Sequence, residues 1–400
     1  MASGFTQALV FGNGRSGKAA AELLRREGVE VRILDGAEAF PDCAACNILP
    51  ATTICITSPG IALDHPWQKA ARAAGLTVIS ELQLGAERWR ARGGRMLAVT
   101  GSKGKSSVVK LVASALKGVP CGNYGTPLCE VVNTQTGEGA ALPWAVVEVS
   151  SFQLETTCLP EDAFEAAALL NLQEDHLDRH GHVSVYHALK RQLLAMTPRA
   201  IDASRAAFAA ARAQSADVAL LAGSDFDNES LRVNGLCAVA LLRAAGLDDA
   251  SIRAAFTDFE PLPHRFQRIA VQGGVTWIDD SKATSLAALA AGVAMCADPV
   301  RLIAGGLPKG DNPLSVIPRL RFGVKKVYLI GCCANQLLDA WRETVPCEVC
   351  ETLDRAVESA RRDAVSGESV LLSPGAASFD QFKSYGDRVD AFAALVREGA

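Results

Sequence analysis

Three α/β domains with largely parallel sheets are expected of this 400-residue chain. Short apolar β-type runs alternate with helical patterns throughout, and glycine-rich turns follow two of those runs. The pattern breaks twice, at the Arg/Gly-rich stretch Arg90–Arg95 and at the hinge-like Pro261-Leu262-Pro263-His264. These breaks set the domains at residues 1–92, 93–262 and 263–400. A chain this long exceeds what one core holds.

In the first domain, the strand Ala8–Phe11 leads into Gly12-Asn13-Gly14-Arg15-Ser16-Gly17, and a helix runs to about Glu27. The strand Val29–Leu34 then ends at Asp35. Strands Thr53–Thr57 and Thr77–Ile79, with a helix near Trp67–Ala74 between them, complete a Rossmann-like unit. Glycines at this spacing, opening a helix and followed by a carboxylate after the next strand, form a dinucleotide fingerprint. NAD and a diphosphate-linked carrier nucleotide both fit it, with Asp35 on a ribose.

The second domain reads as a P-loop-type ATPase. Leu97–Thr100 enters Gly101-Ser102-Lys103-Gly104-Lys105-Ser106-Ser107, and a helical pattern covers Val108–Lys117. Backbone N–H groups and the positive helix end suit phosphate oxygens; Lys105 can span the β- and γ-phosphates, and the Ser106 hydroxyl can hold Mg²⁺. Glu148 closes the strand Ala145–Val149, where a carboxylate beside a phosphate loop suits Mg²⁺. Asn171 follows the strand Ala166–Leu170, ahead of Glu174-Asp175-His176-Leu177-Asp178-Arg179-His180. That segment is either a second metal and phosphate site or a solvated polar loop. Lys190 sits on a helix over Ser184–Leu194 whose apolar face is Val185, Leu189 and Leu193, and an alanine-rich helical stretch continues to about Ala245.

The third domain is again Rossmann-like, with strands at Thr276–Ile278, Val300–Ala304, Lys326–Ile330 and Val370–Leu372. Polar clusters close three of them: Asp279-Asp280-Ser281-Lys282-Ala283-Thr284, Gly305-Gly306-Leu307-Pro308-Lys309-Gly310 and Ser373-Pro374-Gly375-Ala376-Ala377-Ser378. Ligand loops of a parallel sheet belong at these ends. Arg265 follows the hinge.

Composition excludes several classes. A net charge of −4 without a Lys/Arg block argues against nucleic-acid binding. No apolar run approaches the roughly 20 residues that span a bilayer, and the N-terminus lacks signal-peptide regions, so no membrane partner and a cytoplasmic location are expected. Twelve cysteines in so long a chain suit buried thiols in a reducing compartment. Cys43-Ala44-Ala45-Cys46 and Cys347-Glu348-Val349-Cys350 have zinc-like spacing, but each pair lacks neighbouring partners.

The motifs together resemble the Mur ligase family of cell-wall synthesis. The resemblance rests on Thr100 to Ser106, Gly122-Asn123-Tyr124-Gly125-Thr126-Pro127, Glu148 to Leu154, Asn171 with Asp175 to His180, Pro263 to Phe266, and Asp280 to Thr284, in order along the whole chain. Ser150-Ser151-Phe152-Gln153-Leu154-Glu155 and Leu371 to Lys383 are most similar to the D-glutamate-adding branch. The resemblance implies an ATP-dependent ligase that adds D-glutamate to UDP-N-acetylmuramoyl-L-alanine through an acyl phosphate, working as a monomer with domain closure at the hinge. Gly14, Arg15, Ser16 and Asp35 would hold the uridine diphosphate. Gly101 to Ser107 would hold ATP, joined by Asn234, Arg265, Asp280 and Lys282. Ser106 and Glu148 would bind one Mg²⁺; His176 and a carbamylated Lys190 would bind a second. Asn123 and Ser150 would position the muramoyl-alanine end, and Thr284, Lys309, Ser378 and Tyr385 would surround D-glutamate.

Overall fold

The first sheet is built from β1 (Gln7–Phe11), β2 (Glu30–Leu34), β3 (Thr53–Thr57) and β4 (Thr77–Ser80), all parallel, in the order β2-β1-β3-β4. The computed structural model describes residues 4–135, 142–208, 215–228, 231–260, 266–296 and 298–398. Arg265 and the Pro261–His264 hinge lie outside the described residues. Helix α1 (Arg15–Arg26) follows the glycine turn and buries Leu23 and Leu24. Its start depends on Gly17, where an added Cβ would lie 1.9 Å from the Gly12 carbonyl oxygen. Only a residue without a side chain lets the strand end and the helix start approach so closely.

Helix α2 (Pro66–Ala73) connects β3 to β4, and α3 (Glu81–Ala91) follows β4. The Arg/Gly-rich stretch is therefore no spacer. Arg90 belongs to α3, and the chain turns at once through Arg92–Gly94 into β5 (Met96–Thr100). Trp89 is fully buried, donates its indole N–H to the Arg95 carbonyl at 3.3 Å, and leaves only 2.4 Å for a Cβ at Gly94.

From β5 onward come α4 (Lys105–Ala115), β6 (Val119–Gly122), α5 (Leu128–Thr134), β7 (Ala145–Glu148), α6 (Ser151–Leu154) and β8 (Ala166–Leu169). Next are α7 (Leu177–His180), α8 (Val183–Gln192) and β9 (Ala200–Asp202). The second sheet is parallel, ordered β6-β7-β5-β8-β9. β5, β7 and β8 are buried along their whole length, as the unbroken apolar runs of a two-sided parallel sheet require. Both sheets share one core: Leu23 and Leu24 of α1, Leu82 and Trp89 of α3, and Leu128 and Val131 of α5 pack with Ile54, Ile56, Met96 and Val147. Residues 1–259 accordingly make one compact unit, and residues 260–400 make a second.

One expectation fails here and a second holds only in part. The alanine-rich stretch to Ala245 is not continuously helical: a 3₁₀ turn (Leu193–Met196), the edge strand β9 and another 3₁₀ turn (Ala216–Leu221) precede the helix Arg232–Ala244. The aliphatic face of α8 is only partly as expected: Leu193 is buried and Leu189 packs against the core. Val185 is 47% exposed, whereas Tyr186 and Lys190 are buried.

The second unit holds a six-stranded sheet ordered β10-β11-β15-β12-β13-β14. Its strands are β10 (Gln267–Gln272), β11 (Val275–Asp279), β12 (Val300–Gly305), β13 (Val324–Ile330), β14 (Cys347–Glu351) and β15 (Ser369–Leu372). All pair in parallel except β10, an antiparallel edge. Both β10 and β14 were absent from the sequence reading. Cys347 and Cys350 lie on β14, where a three-residue offset sends side chains to opposite faces and precludes a shared metal. All cysteines are free thiols. No described helix is long and apolar enough to cross a membrane.

One buried carboxyl joins the two sheets of the first unit. Glu81, 1% exposed, accepts the Cys129 N–H at 2.7 Å at the start of α5, and its second oxygen has no hydrogen-bond partner. Burial raises this carboxyl from 4.5 to about 7. A folded value above the unfolded one contributes stability that is present below about pH 4.5 and lost as pH rises through about 7. The swing is on the order of 3 kcal/mol. Glu81→Gln should keep a constant urea midpoint between about pH 5 and about pH 8 while the wild-type midpoint falls; superimposable pH profiles would refute this. Separately, Gly17→Ala should cost about 1–3 kcal/mol by urea unfolding, because its Cβ meets backbone.

Candidate active site

The phosphate loop is fixed by β8 as much as by its own glycines. The Ser102 N–H donates to the Asn171 carbonyl at 3.0 Å, and the Lys103 N–H donates to Asn171 Oδ1 at 2.9 Å. Asn171 Nδ2 returns a bond to the Lys103 carbonyl at 3.0 Å. Gly104, at φ +83°, caps α4, and a Cβ there would stand 2.2 Å from Asn234 Nδ2. Asn234 therefore lies directly against the loop, buried on the helix Arg232–Ala244. Lys105, Ser106 and Ser107 form the first turn of α4, whose positive end favours an anion.

Two amines converge on one carbonyl oxygen. Lys105 Nζ donates to Gly101 O at 2.8 Å and to Ser102 O at 3.2 Å, while Lys190 Nζ donates to Gly101 O at 2.9 Å. Lys190 is 2% exposed. Burial, and next the Lys105 charge, lowers its pKa from 10.5 to about 7, against the opposing pull of Asp175 and Glu148. An ordinary lysine is almost wholly protonated at pH 7, whereas this shift gives Lys190 a much larger neutral fraction there.

Glu148, 3% exposed, ends β7. Asn123 Nδ2 donates to its Oε1 at 2.8 Å, while Oε2 is buried without a hydrogen-bond partner. An unsatisfied buried carboxylate oxygen at a sheet edge beside a phosphate loop fits a hard cation. Among the described residues no three His, Cys, Asp or Glu side chains group as a metal cage. The donors therefore suit Mg²⁺, which completes its shell with waters and substrate phosphates. Next along the chain, Ser150 caps α6 in a reciprocal box with Gln153, so its hydroxyl is engaged locally.

His176 adopts a left-handed conformation, φ +54°, and caps α7. Its ring packs against Phe152 at 4.9 Å and Tyr186 at 6.1 Å. Asp175 accepts the His176 N–H at 3.1 Å and pairs with Lys103 at 3.5 Å. Burial pushes the Asp175 carboxyl up, but Lys103, His176 and Lys105 outweigh it and hold it below its usual value. The segment after Asn171 is therefore no free solvated loop. Arg179 pairs with Glu155 at 2.6 Å and reaches the carbonyls of Pro59, Gly60 and Ile61, tying this segment to the loop after β3.

At the glycine turn of the first sheet, Gly14 and Ser16 flank Arg15, and Asp35 Oδ1 accepts the Asn13 N–H at 3.4 Å. Arg15 is an exposed bridge: it pairs with Glu130 at 2.7 Å and donates to the Gly125 carbonyl, in the same turn that carries Asn123.

In the second unit, Asp280 receives bonds from the Phe266 N–H at 3.3 Å and the Ser373 hydroxyl at 2.8 Å. Lys309 Nζ donates to Thr284 Oγ1 at 2.9 Å, and Lys282 stands 5.6 Å over the Tyr385 ring. Buried Ser378 ends the loop after β15. Arg388, 1% exposed, donates to the Ser281 hydroxyl and carbonyl, both at 2.8 Å, and to the Ala376 carbonyl at 3.4 Å. It thereby clamps the Asp280–Thr284 loop to the Ser373–Ser378 loop. Sequence reasoning missed Arg388 and Tyr186. Tyr186 precedes Lys190 by four residues, so the helical period that singles out one also marks the other.

The chain is also similar to known proteins. The Mur ligase middle domain matches residues 99–230. UDP-N-acetylmuramoylalanine–D-glutamate ligase of Nitratidesulfovibrio vulgaris (strain DP4) is 35% identical over 97% of this chain and 95% of its own. The protein of the same name from Frankia casuarinae is 36% identical over 97% of this chain and 93% of its own. Among solved structures, UDP-N-acetylmuramate-alanine ligase MurC of Thermotoga maritima superposes with a TM-score of 0.59 at 14% identity, covering 98% of this chain and all of its own. MurF ligase of the same organism, in complex with ADP, gives 0.59 at 13% identity over 98% of this chain and 95% of its own. By its near-full-length likeness to these relatives, the chain belongs to the Mur ligase family.

Proposed function

We propose that this chain is an ATP-dependent amide ligase that joins D-glutamate to UDP-N-acetylmuramoyl-L-alanine in peptidoglycan precursor synthesis. The observation that carries the chemistry is the buried Lys190 amine, bound to the same carbonyl as the phosphate-loop Lys105. The named relatives supply the substrates. A carboxylate is a poor electrophile, so its oxygen first takes the γ-phosphate of ATP to give an acyl phosphate. The amine of D-glutamate then attacks the carbonyl carbon, and phosphate leaves from the tetrahedral intermediate.

Each residue has a task in this reading. The Gly101–Ser107 loop frames the triphosphate at the start of α4, with Lys105 against the transferred phosphoryl group. Ser106 and the free oxygen of Glu148 suit one Mg²⁺. A neutral lysine amine does not bind Mg²⁺ well, but it adds to CO₂ with loss of a proton, and the carbamate so formed supplies oxygens for a second Mg²⁺ with His176. When bound, the two ions offset charge growing on the phosphoryl oxygens. Asn123, held on Glu148, and Ser150 face the muramoyl-alanine end, while Gly14, Arg15, Ser16 and Asp35 hold the uridine diphosphate. Asn234, Arg265, Asp280 and Lys282 serve the nucleotide or its transferred phosphate, and Thr284, Lys309, Ser378 and Tyr385 take D-glutamate. One chain supplies every group, so a cytoplasmic monomer suffices.

Phosphate release from ATP should require both UDP-N-acetylmuramoyl-L-alanine and D-glutamate; release driven equally by L-lysine or diaminopimelate would refute the assignment. Lys190→Ala should lose turnover and regain part of it with added short carboxylates, which full activity in the plain variant would contradict. Because only the neutral amine is carbamylated, rates in CO₂-depleted buffer should fall as pH drops below about 7, and bicarbonate should restore them. A pH profile indifferent to bicarbonate would count against the carbamate.

A further inference from the structure

The Ser102 hydroxyl, expected from sequence to meet ATP, is committed elsewhere. It lies 3.2 Å from the Gln173 carbonyl, 3.0 Å from the Gln173 N–H and 3.0 Å from the Tyr186 hydroxyl. A hydroxyl has one donor and two acceptor positions. The Gln173 carbonyl can only accept, and the Gln173 N–H can only donate. With the serine proton on the Gln173 carbonyl, the remaining lone pair accepts the Tyr186 O–H. All three positions are then filled within the protein, and the Ser102 N–H is likewise taken by Asn171.

The three partners lie on three different segments. Ser102 belongs to the phosphate loop, four residues before Ser106. Gln173 stands three residues before His176 on the post-β8 segment, and Tyr186 stands one helical turn before Lys190 on α8. Tyr186 is 1% exposed, and Lys190 Nζ sits 4.8 Å over its ring. We propose that the Ser102 hydroxyl and Tyr186 form a junction that sets His176 and Lys190 at a fixed reach from the phosphate loop, making both of them positioning residues rather than nucleotide contacts. This inference rests on the two-cation reading above, because a second cation held by His176 and Lys190 must also reach the phosphate carried by the loop.

A double-mutant cycle tests it. Ser102→Ala and Tyr186→Phe both remove the Ser102–Tyr186 hydrogen bond; the first also loses the two contacts to Gln173, and the second keeps ring and volume. Each should lower kcat about tenfold and raise the Mg²⁺ concentration for half-maximal rate severalfold, with KM for ATP within about twofold of wild type. The double variant should be no worse than the poorer single one. Losses that multiply, or a Ser102→Ala variant with raised KM for ATP and an unchanged Mg²⁺ requirement, would overturn the proposal. Titration of the wild-type protein with Mn²⁺ and ADP, read by electron paramagnetic resonance, separates the two levels. Two ions with multiplying losses sink the junction alone, whereas a single ion sinks the two-cation reading and the junction with it. Should Ser102→Ala not fold, an unaltered Mg²⁺ requirement in Tyr186→Phe overturns the proposal by itself.

Discussion

The carbonyl of Gly101 is the fixed point of the first unit's polar site. It accepts from Lys105 and from Lys190 at once, and so brings together a residue of the phosphate loop and one arriving 85 positions later on α8. Two amines so close to one oxygen repel each other, and for Lys190 burial adds to that cost. Lys190, nearly without solvent contact, takes the shift, and its amine becomes a nucleophile near neutral pH. A glycine at φ +152° lets the strand end turn its carbonyl between them.

Around that point the loop is held from outside. Asn171 brackets Lys103, accepting its N–H and donating to its carbonyl, and Asn234 occupies the space a Cβ at Gly104 would need. The loop's shape is thus set before any phosphate arrives, and little reorganisation is left for binding. Glu148 shows the complementary principle. One of its oxygens is satisfied by Asn123, and the other is left desolvated, which is costly unless a cation completes it.

Much of this was legible in the sequence, for identifiable reasons. The glycine turns, Glu148, His176 and Asp280 follow strands of a parallel sheet, and the period-two and apolar-run signals place strand ends well. Lys190 was visible only through family resemblance, because an aliphatic stripe at Val185, Leu189 and Leu193 suggested a different buried face. Leu189 and Leu193 do face the core, but α8 also packs a tyrosine and a lysine against the phosphate loop, a polar contact that hydrophobic periodicity cannot register. Edge strands β10 and β14 escaped notice for a related reason. Only one of their residues is buried, so neither an apolar run nor a clean alternation marks them. The Arg/Gly-rich stretch is not an open linker, because Trp89 is buried behind it and closes the turn.

That closed turn bears on how the first 259 residues can be divided. Helices α1 and α3 lean on α5, which is coded after the phosphate loop, so a fragment ending near Ala91 would bare Leu23, Leu82 and Trp89 to water. The glycine-turn sheet is consequently no portable cassette. Recombination, proteolysis or a cloning boundary placed there severs a shared interior, and an insertion between the two sheets is tolerated only where the packing already ends.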